Sequence, residues 1–218
     1  MRVLIRGAGD IATGIALRLF RSHMEVVMTD LPAPTAIRRT VCFSQAIVLG
    51  KTVVEDVTAV RASDAAEAET LLAQGVIPVL ADPDGACREA LHPDAVEAVS
   101  YTHLRANIPG LIGGYAGERV LRAPADGVFH QLLDIGAAVK AGDVAGEVNG
   151  IPMCCTIDGV VRGILPEGTP VHKGMKSGDV DPRCRPEYCT TASDKALAVG
   201  GGVLEALLHL RVTAKQTD

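Results

Sequence analysis

The second half of the chain contains one short stretch of sequence twice. The triplet Asp126-Gly127-Val128 recurs as Asp158-Gly159-Val160, 32 residues further along. The same offset relates the residues that follow, which are Gly136, Val139, Gly142 and Gly146 in the first copy and Gly168, Val171, Gly174 and Gly178 in the second. Self-similarity at a fixed period reports architecture directly. We therefore predict two copies of one small β unit, which together form a compact β module over residues 123–180.

The two copies resemble the halves of the barrel-sandwich hybrid of biotinyl and lipoyl carrier domains. The opening Ala123-Pro124-Ala125-Asp126-Gly127 is typical of that group. Carrier domains need a lysine on the hairpin that joins the halves, and Val148 occupies that position here. It is followed by Asn149-Gly150, a good pair for a tight turn. Because no lysine occurs between Lys140 and Lys173, the module is expected to be a scaffold or a binding face and not a carrier.

The first thirty residues have the order strand, glycine turn, helix, strand and acid. We predict strands at Val3-Leu4-Ile5-Arg6 and Val26-Val27-Met28-Thr29, with a helix from Ile11 to Phe20 between them. This order is the opening of a dinucleotide-binding Rossmann unit, in which a helix N-terminus and a close backbone approach accept a phosphate. The candidate cofactor-binding residues are Gly7, Gly9, Asp10, Ala12, Gly14 and Asp30.

Two of these residues depart from the dinucleotide fingerprint. Ala12 replaces its third glycine, which is tolerated. Asp10 places a carboxylate in the phosphate turn, where it would repel a pyrophosphate unless a metal or Arg6 compensates for its charge. A Rossmann-like scaffold with another ligand, or with none, is therefore the alternative to a bound dinucleotide.

The pattern continues with a helix from Ser63 to Gln74, capped by Ser63, and a buried strand at Val76-Ile77-Pro78-Val79-Leu80. It then breaks after Asp94, and residues 96–106 have neither a helical nor a strand period. Residues 100–106 resemble translated sequencing-adapter sequence. We expect an artificial join there, with part of the Rossmann sheet missing; the alternative is an ordinary interdomain loop.

The composition of the chain argues against some cellular compartments and some classes of partner. Its net charge is −5 and no basic stripe is present, which argues against nucleic acid as a partner. The longest apolar run, Ala196 to Leu204, is shorter than the roughly 20 residues of a membrane span. We expect a cytoplasmic protein that does not bind membranes and whose six cysteines are thiols. No C-x-x-C pair is present, and no metal site is predicted.

Several motifs at both ends of the chain together resemble one family of bacterial accessory proteins. They are Arg6 to Gly14, Ala36-Ile37-Arg38-Arg39, Glu118 to Pro124, Asp179 to Arg183 and Ser193 to Glu205. The family is the selenium-dependent molybdenum hydroxylase system protein family, distantly similar to the accessory proteins of xanthine dehydrogenase maturation. The resemblance implies a maturation factor whose partner is a molybdenum hydroxylase, and whose cofactor is a dinucleotide or the nucleotide of the molybdenum cofactor.

Cys189 is the candidate catalytic residue under this hypothesis, as the thiol that handles selenium or sulfur. Its thiolate would need a lowered pKa, which Arg183, Arg185 or Lys195 could provide. A structural thiol is the alternative. Two other functions stay open for the chain as a whole. One is an NAD(P)-linked oxidoreductase, and the other is a non-enzymatic structural adaptor.

The predicted fold class combines three parts. They are an incomplete α/β Rossmann-like N-terminal unit, a small all-β barrel-sandwich hybrid without the carrier lysine, and a C-terminal helix. The predicted boundaries are a nucleotide-binding unit at 1–99, a junction at 100–122, the β module at 123–180, and a C-terminal loop and helix at 181–218. A homo-oligomer is compatible with this organisation.

Overall fold

A computed structural model describes residues 1–99 and 111–214, with side chains as far as Arg211. The chain divides into two compact units. Unit 1 consists of Met1–Pro34, Val41–Val99 and Thr191–Asp218, and unit 2 consists of Thr35–Thr40 and Ser100–Thr190. The artificial join is predicted between Asp94 and Asn107. Within that stretch Ala95–Ala98 form a strand, contrary to the prediction of no strand there, and residues 100–107 lie outside the described residues.

Unit 1 is organised around a six-stranded sheet. Its strands are β1 (Arg2–Arg6), β2 (Glu25–Thr29), β3 (Lys51–Val54), β4 (Val57–Ala62), β5 (Ile77–Leu80) and β6 (Ala95–Ala98). They lie in the order β3-β4-β5-β2-β1-β6. Neighbouring strands are parallel except β3 and β4, which form an antiparallel hairpin. The central strands are apolar and buried on both faces, as parallel strands between two helical layers are expected to be.

Helices cover both faces of this sheet. They are α1 (Asp10–Arg21), α2 (Gln45–Leu49), α3 (Ala65–Ala73), α4 (Arg88–Leu91) and α5 (Asp194–Ala214). Side chains of α1, α2 and α5 share one core with the sheet, and side chains of α3 and α4 share the other. The parallel strands β1, β2 and β5 all end at the same edge of the sheet, where the loops after them meet.

The beginning of α3 differs by one residue from the prediction. Asp64, not Ser63, caps the helix, because its carboxylate accepts the backbone N–H of Glu67 at 2.9 Å. Glu67 in turn accepts the backbone N–H of Ser63 at 2.8 Å. The two carboxylates thus satisfy N–H groups that the first turn of a helix leaves without partners.

Helices α1 and α5 cross at two glycines. A Cβ atom on Gly14 would lie 2.5 Å from the Cβ of Ala196, and one on Gly200 would lie 2.6 Å from the carbonyl oxygen of Gly14. Gly200 is the first of three consecutive glycines in α5. A Cβ atom on either of the other two, Gly201 and Gly202, would meet nothing within 4 Å.

Unit 2 contains two antiparallel four-stranded sheets. Its strands are β7 (Val120–Arg122), β8 (Gly127–Gln131), β9 (Ala138–Val139), β10 (Val144–Val148), β11 (Ile151–Cys154), β12 (Gly159–Ile164), β13 (Pro170–Val171) and β14 (Lys176–Asp181). The sheets have the orders β11-β10-β8-β13 and β7-β14-β12-β9. Short 3-10 helices cover Arg39–Val41, Gly117–Arg119 and Pro186–Cys189.

The sequence repeat relates these two sheets to each other. Each of the strands β7, β8, β9 and β10 corresponds, one repeat later, to β11, β12, β13 and β14 respectively. If each strand is replaced by its counterpart, the strand order of one sheet becomes that of the other. The irregularity in β10 between Val144 and Gly146 recurs in β14 between Lys176 and Gly178. The prediction that the repeat encodes two copies of one β unit is confirmed.

The aspartates of the repeat connect the two copies. Asp126 in the first copy accepts the backbone N–H of Lys173 in the second at 2.7 Å. Asp158 in the second copy accepts the backbone N–H of Ala141 in the first at 2.9 Å. Each carboxylate therefore holds the turn of the other copy, which explains why an aspartate recurs at this position.

The turn glycines of the repeat are bonded across the copies in the same way. Gly142 donates its backbone N–H to the carbonyl oxygen of Cys155 at 2.8 Å, and Gly174 donates to that of Ala123 at 2.9 Å. Both glycines have positive φ values, 99° and 82°, which favour glycine over residues with a side chain.

The hairpin between the copies is the tight turn that the sequence predicts. Asn149 and Gly150 have φ values of 53° and 75°, and Val148 pairs with Ile151 across the turn. Positive φ at both central residues is the feature of the two-residue turns that join twisted antiparallel strands. Val148 is fully buried, so this position faces the core of unit 2.

The predicted fold class, which combined three separate parts, is wrong. The sheet of unit 1 is not an incomplete parallel sheet: it has six strands and is mixed, because β3 returns antiparallel to β4. The C-terminal helix is not a separate part, since α5 packs into the core of unit 1. Unit 2 is not a self-contained barrel-sandwich hybrid of 123–180, because it begins its strands at Val120 and includes Thr35–Thr40 from the first half of the chain.

The glycine crossing predicts opposite effects for two similar substitutions. We expect Gly14→Ala to lower the free energy of unfolding by about 1–3 kcal/mol, because the overpacking at Ala196 outweighs the gain in helix propensity. Gly202→Ala is the matched control and should raise it by up to about 1 kcal/mol, since its Cβ enters open space. Urea unfolding followed by circular dichroism measures both. Equal effects of the two variants would contradict the crossing.

The reciprocal aspartates predict equivalent losses of stability. Asp126→Asn and Asp158→Asn should each lower the free energy of unfolding, because an amide oxygen accepts a backbone N–H less strongly than a carboxylate does. The same unfolding experiment applies. Glu147→Gln, a change on β10, is the control and should leave stability within about 0.5 kcal/mol of the parent chain. Stability equal to that control in both aspartate variants would rule out the reciprocal contacts as a source of stability.

Candidate functional site

The turn after β1 lies at the carboxyl edge of the sheet in unit 1. Gly7 has a φ of 110°, and its backbone N–H donates to the carbonyl oxygen of Thr29 at 2.7 Å. Gly9 precedes α1, with a φ of −73°, and no side chain caps the helix there. A Cβ atom on Gly9 would meet nothing within 4 Å. The backbone before α1 is therefore open to a ligand.

Asp30 lies directly beside this turn, as the sequence predicts for the acid that follows β2. Its carboxylate accepts the backbone N–H of Ala8 at 2.8 Å and that of Leu31 at 2.7 Å. The two bonds fix the orientation of the carboxylate. Asp30 therefore stabilises the turn through two of its acceptor positions, and its remaining acceptor positions could bind a ligand.

The other predicted cofactor-binding residues occupy different surroundings. Asp10 begins α1 and is half-buried. Ala12 is buried directly beneath the turn, 3.9 Å from where a Cβ of Gly7 would lie. Gly14 is one turn further into the helix, where it contacts Ala196 of α5. The structure therefore brings Gly7, Gly9, Asp10, Ala12 and Asp30 together, and it places Gly14 at a helix crossing.

Arg6 is a further residue of this edge, which the sequence indicates only as a possible counter-charge for Asp10. It is the last residue of β1, and its side chain reaches across the edge to donate to the carbonyl oxygen of Pro83 at 3.0 Å. Its Nε atom is buried and has no hydrogen-bond partner among the described residues. Within the same ranges, no carboxylate lies in ion-pair distance of Arg6. A signal for it was available, since it ends a parallel strand at the edge where ligands bind α/β sheets.

The loop after β5 supports Arg6. Asp82 accepts the backbone N–H of Cys87 at 2.8 Å. Burial acts to raise the pKa of Asp82, but hydrogen bonds from the backbone of Cys87, Ala86 and Gly85 outweigh it and lower the pKa below its usual range. The same loop presents Gly85 to Arg6, because a Cβ on Gly85 would lie 3.3 Å from the Arg6 Cδ atom.

Metal binding at this edge has no support in the described part of the chain. No group of three or more histidine, cysteine, aspartate or glutamate side chains there is arranged to hold a metal ion.

Cys189, the predicted catalytic residue, lies in unit 2 and away from solvent. It is buried, and its thiol donates to the carbonyl oxygen of Val161 at 3.7 Å. Burial raises the pKa of Cys189, and the opposing effects of Arg162 and Arg38 do not offset it. A raised pKa disfavours the thiolate that a nucleophile requires.

Two of the three residues predicted to activate Cys189, Arg183 and Arg185, have other partners. Arg183 pairs with Asp181 at 2.6 Å, and its guanidinium lies 4.0 Å from the centre of the Tyr188 ring. Arg185 lies 3.7 Å from a carboxylate oxygen of Glu187. Lys195 belongs to unit 1. These surroundings favour the structural alternative for the thiol, and a catalytic role for Cys189 stays a prediction.

Comparison with known proteins gives one curated relative. No protein-family model matches the chain. The uncharacterized protein YqeB of Escherichia coli (strain K12) is 37% identical over 256 aligned positions, which cover 95% of this chain and 47% of YqeB. The chain thus spans about half the length of the curated relative that it matches. Because the alignment is longer than the 218 residues of this chain, YqeB has extra residues inside the matched region.

The solved structures that match are weakly similar. A succinylglutamate desuccinylase/aspartoacylase from Rhodobacter sphaeroides is 22% identical over 29% of this chain and 22% of its own, with a TM-score of 0.27. The apo ectoine utilization protein EutE (DoeB) from Ruegeria pomeroyi is 11% identical over 82% of this chain and 85% of its own, with a TM-score of 0.30. At these TM-scores the matches carry no conclusion about fold or activity.

The family resemblance stated from the sequence motifs is wrong. None of these matched proteins is described as a selenium-dependent molybdenum hydroxylase or as an accessory protein of one. The function built on the resemblance, a maturation factor for such a hydroxylase, is wrong with it. The motifs reflect local structure instead: Arg6 to Gly14 is a strand end with its turn, and Ser193 to Glu205 belongs largely to a helix packed on α1.

A membrane-spanning helix is not found in the described ranges. The helices there are too short or too polar to cross a bilayer.

The burial of five of the six cysteines predicts their order of reaction with a thiol reagent. Cys154 and Cys184 are exposed and should react first. Cys42, Cys155 and Cys189 are buried, and burial raises the pKa of Cys155 to about 11, so these thiols should react only as the chain unfolds. Timed labelling with iodoacetamide and peptide mapping measures the order, with urea-unfolded protein as the control. Rapid labelling of Cys189 in the folded chain would restore it as a candidate nucleophile.

Proposed function

We propose that unit 1 binds a small molecule through an anionic group, a phosphate or a carboxylate, at the carboxyl edge of its sheet. The binding residues are Arg6 and the turn Gly7 to Asp10, with Ala12 beneath the turn and Asp30 beside it. This is a binding function. The proposal includes no reaction.

The single observation that carries the proposal is the state of Arg6. Arg6 is half-buried and has no carboxylate partner in the described ranges, and the part of its charge that loses water has to be stabilised by pairing or hydrogen bonding. The Pro83 carbonyl satisfies one of its donors, and the buried Nε is left without a partner there. An anionic group on the ligand would supply the missing acceptor, since arginine recognises carboxylates and phosphates through paired N–H groups.

The N-terminus of α1 supports the same charge preference. The helix is 12 residues long and no side chain caps it, so the N–H groups of its first turn are directed towards the edge of the sheet. The helix dipole adds a partial positive charge there. The open space at Gly9 provides room for an anionic group near these N–H groups.

The carboxylates at the edge set a limit on the ligand. Asp30 is held by two backbone N–H groups, which offset part of its negative charge. Asp10 lies in the first turn of α1, where the helix dipole favours an acidic residue. A single small anionic group is therefore easier to accommodate than a highly charged one.

Binding to other macromolecules stays a prediction for this chain. The sequence allows a homo-oligomer and argues against nucleic acid and membrane as partners. Size-exclusion chromatography with light scattering tests the first of these expectations.

Removal of the Arg6 charge provides the test of the proposed site. Isothermal titration with inorganic phosphate, ADP and succinate should give saturable binding for at least one of them. Arg6→Gln should weaken that binding by about 10- to 100-fold, the range for a hydrogen bond to a charged group. Arg88→Gln removes the same charge from an exposed residue of α4 and is the matched control.

Two outcomes would contradict the proposal. One is the absence of saturable binding for every anion in the panel. The other is equal affinity in Arg6→Gln and Arg88→Gln, which would mean that the ligand binds elsewhere.

A further inference from the structure

Arg6 is held in place from outside its own strand. Its guanidinium crosses the edge of the sheet from β1, passes the end of β2 and donates to Pro83 in the loop after β5. Gly85 of the same loop lies against the Arg6 side chain, with 3.3 Å between its virtual Cβ and the Arg6 Cδ atom. The position of the guanidinium therefore depends on the shape of the loop from Asp82 to Cys87.

A single residue closes that loop. The Asp82 carboxylate accepts the backbone N–H of Cys87 at 2.8 Å, and the Asp82 carbonyl oxygen accepts that of Gly85 at 3.1 Å. Gly85 has a φ of 67° within this turn. Such side chain-to-backbone bonds are the usual means by which aspartate stabilises a tight loop.

We infer that Asp82 is the positioning residue of the proposed anion site: it closes the loop after β5 and thereby fixes the Arg6 guanidinium at the carboxyl edge of the sheet. Asp82 does not contact the ligand in this arrangement. It acts through the Pro83 carbonyl and the Gly85 contact. The expected effect of Asp82 on affinity rests on the proposed function. The expected effect of Asp82 on the position of Arg6 does not depend on any ligand.

Asp64 provides a matched control for Asp82. It also follows a strand of the same sheet at the same edge, and its carboxylate also accepts a backbone N–H, that of Glu67 at 2.9 Å. It has no contact with Arg6. Asp64→Asn therefore makes the same chemical change as Asp82→Asn and also weakens a bond from a backbone N–H to a carboxylate. It leaves the hydrogen bond between Arg6 and Pro83 unchanged.

The first measurement needs no ligand. Phenylglyoxal modifies accessible guanidinium groups, and peptide mapping by mass spectrometry gives the rate at Arg6. We expect this rate to rise in Asp82→Asn relative to the parent chain and to Asp64→Asn, because the Pro83 carbonyl no longer holds the side chain. Asp82→Ser keeps a short acceptor for the loop and should give an intermediate rate. Circular dichroism confirms that each variant is folded, and Asp82→Ser takes the place of Asp82→Asn if the latter is not.

The second measurement is a double-mutant cycle on the affinity for whichever anion of the panel binds. Asp82→Asn should weaken binding by about 3- to 10-fold, as expected for the loss of an ordinary intramolecular hydrogen bond. In the Arg6→Gln background the same change should have no further effect, because a residue that acts through Arg6 has nothing left to position. A merely structural role would instead weaken binding equally in both backgrounds.

The outcomes separate this inference from the proposed function. An Arg6 modification rate and an affinity in Asp82→Asn that equal those in Asp64→Asn would overturn the inference while leaving the binding site intact. If the parent chain binds no anion, the proposed function fails, and the modification rate alone decides whether Asp82 positions Arg6.

Discussion

The two copies of the repeat in unit 2 are joined by reciprocal hydrogen bonds between their turns. Asp126 and Asp158 hold each other's turns, and Gly142 and Gly174 donate to backbone carbonyls of the opposite copy. Both copies also contribute side chains to one apolar core, among them Phe129 and Val148 of the first copy and Val161 and Val180 of the second. The two sheets therefore form together, and the repeat encodes one cooperative unit and not two independent ones.

A close contact has a comparable role in unit 1. Gly14 and Gly200 allow α1 and α5 to approach until a single added carbon would overlap the neighbouring backbone. Residues from the two ends of the chain thus share one core on the face of the sheet where α1 lies. That packing holds α1 on this face, and the uncapped N-terminus of α1 lies at the carboxyl edge, directly after the turn that follows β1.

Residue patterns predict the local features of the candidate site but not its long-range contacts. The turn from Gly7, the helix after it and the acid at Asp30 were predictable, because each is a local feature with its own signal. The pattern also grouped Gly14 with the ligand-binding residues, whereas the structure gives it to a helix crossing. Arg6 and Asp82 were visible as residues at strand ends, but their connection through Pro83 joins two loops that are 77 residues apart. The family resemblance failed for the same reason, since it rested on short motifs that report local structure.

By itself, the sequence determined the local elements of this protein: the first strands and helices, the repeated β unit, the tight turn at Asn149-Gly150 and the absence of a carrier lysine. These follow from periodicity, turn chemistry and residue spacing, which act over a few residues. Only the tertiary structure decided the mixed six-stranded sheet, the place of α5 in the first core, the membership of Thr35–Thr40 in unit 2 and the burial of Cys189. Those outcomes depend on which apolar faces and polar groups find partners far along the chain, and no local pattern specifies that choice.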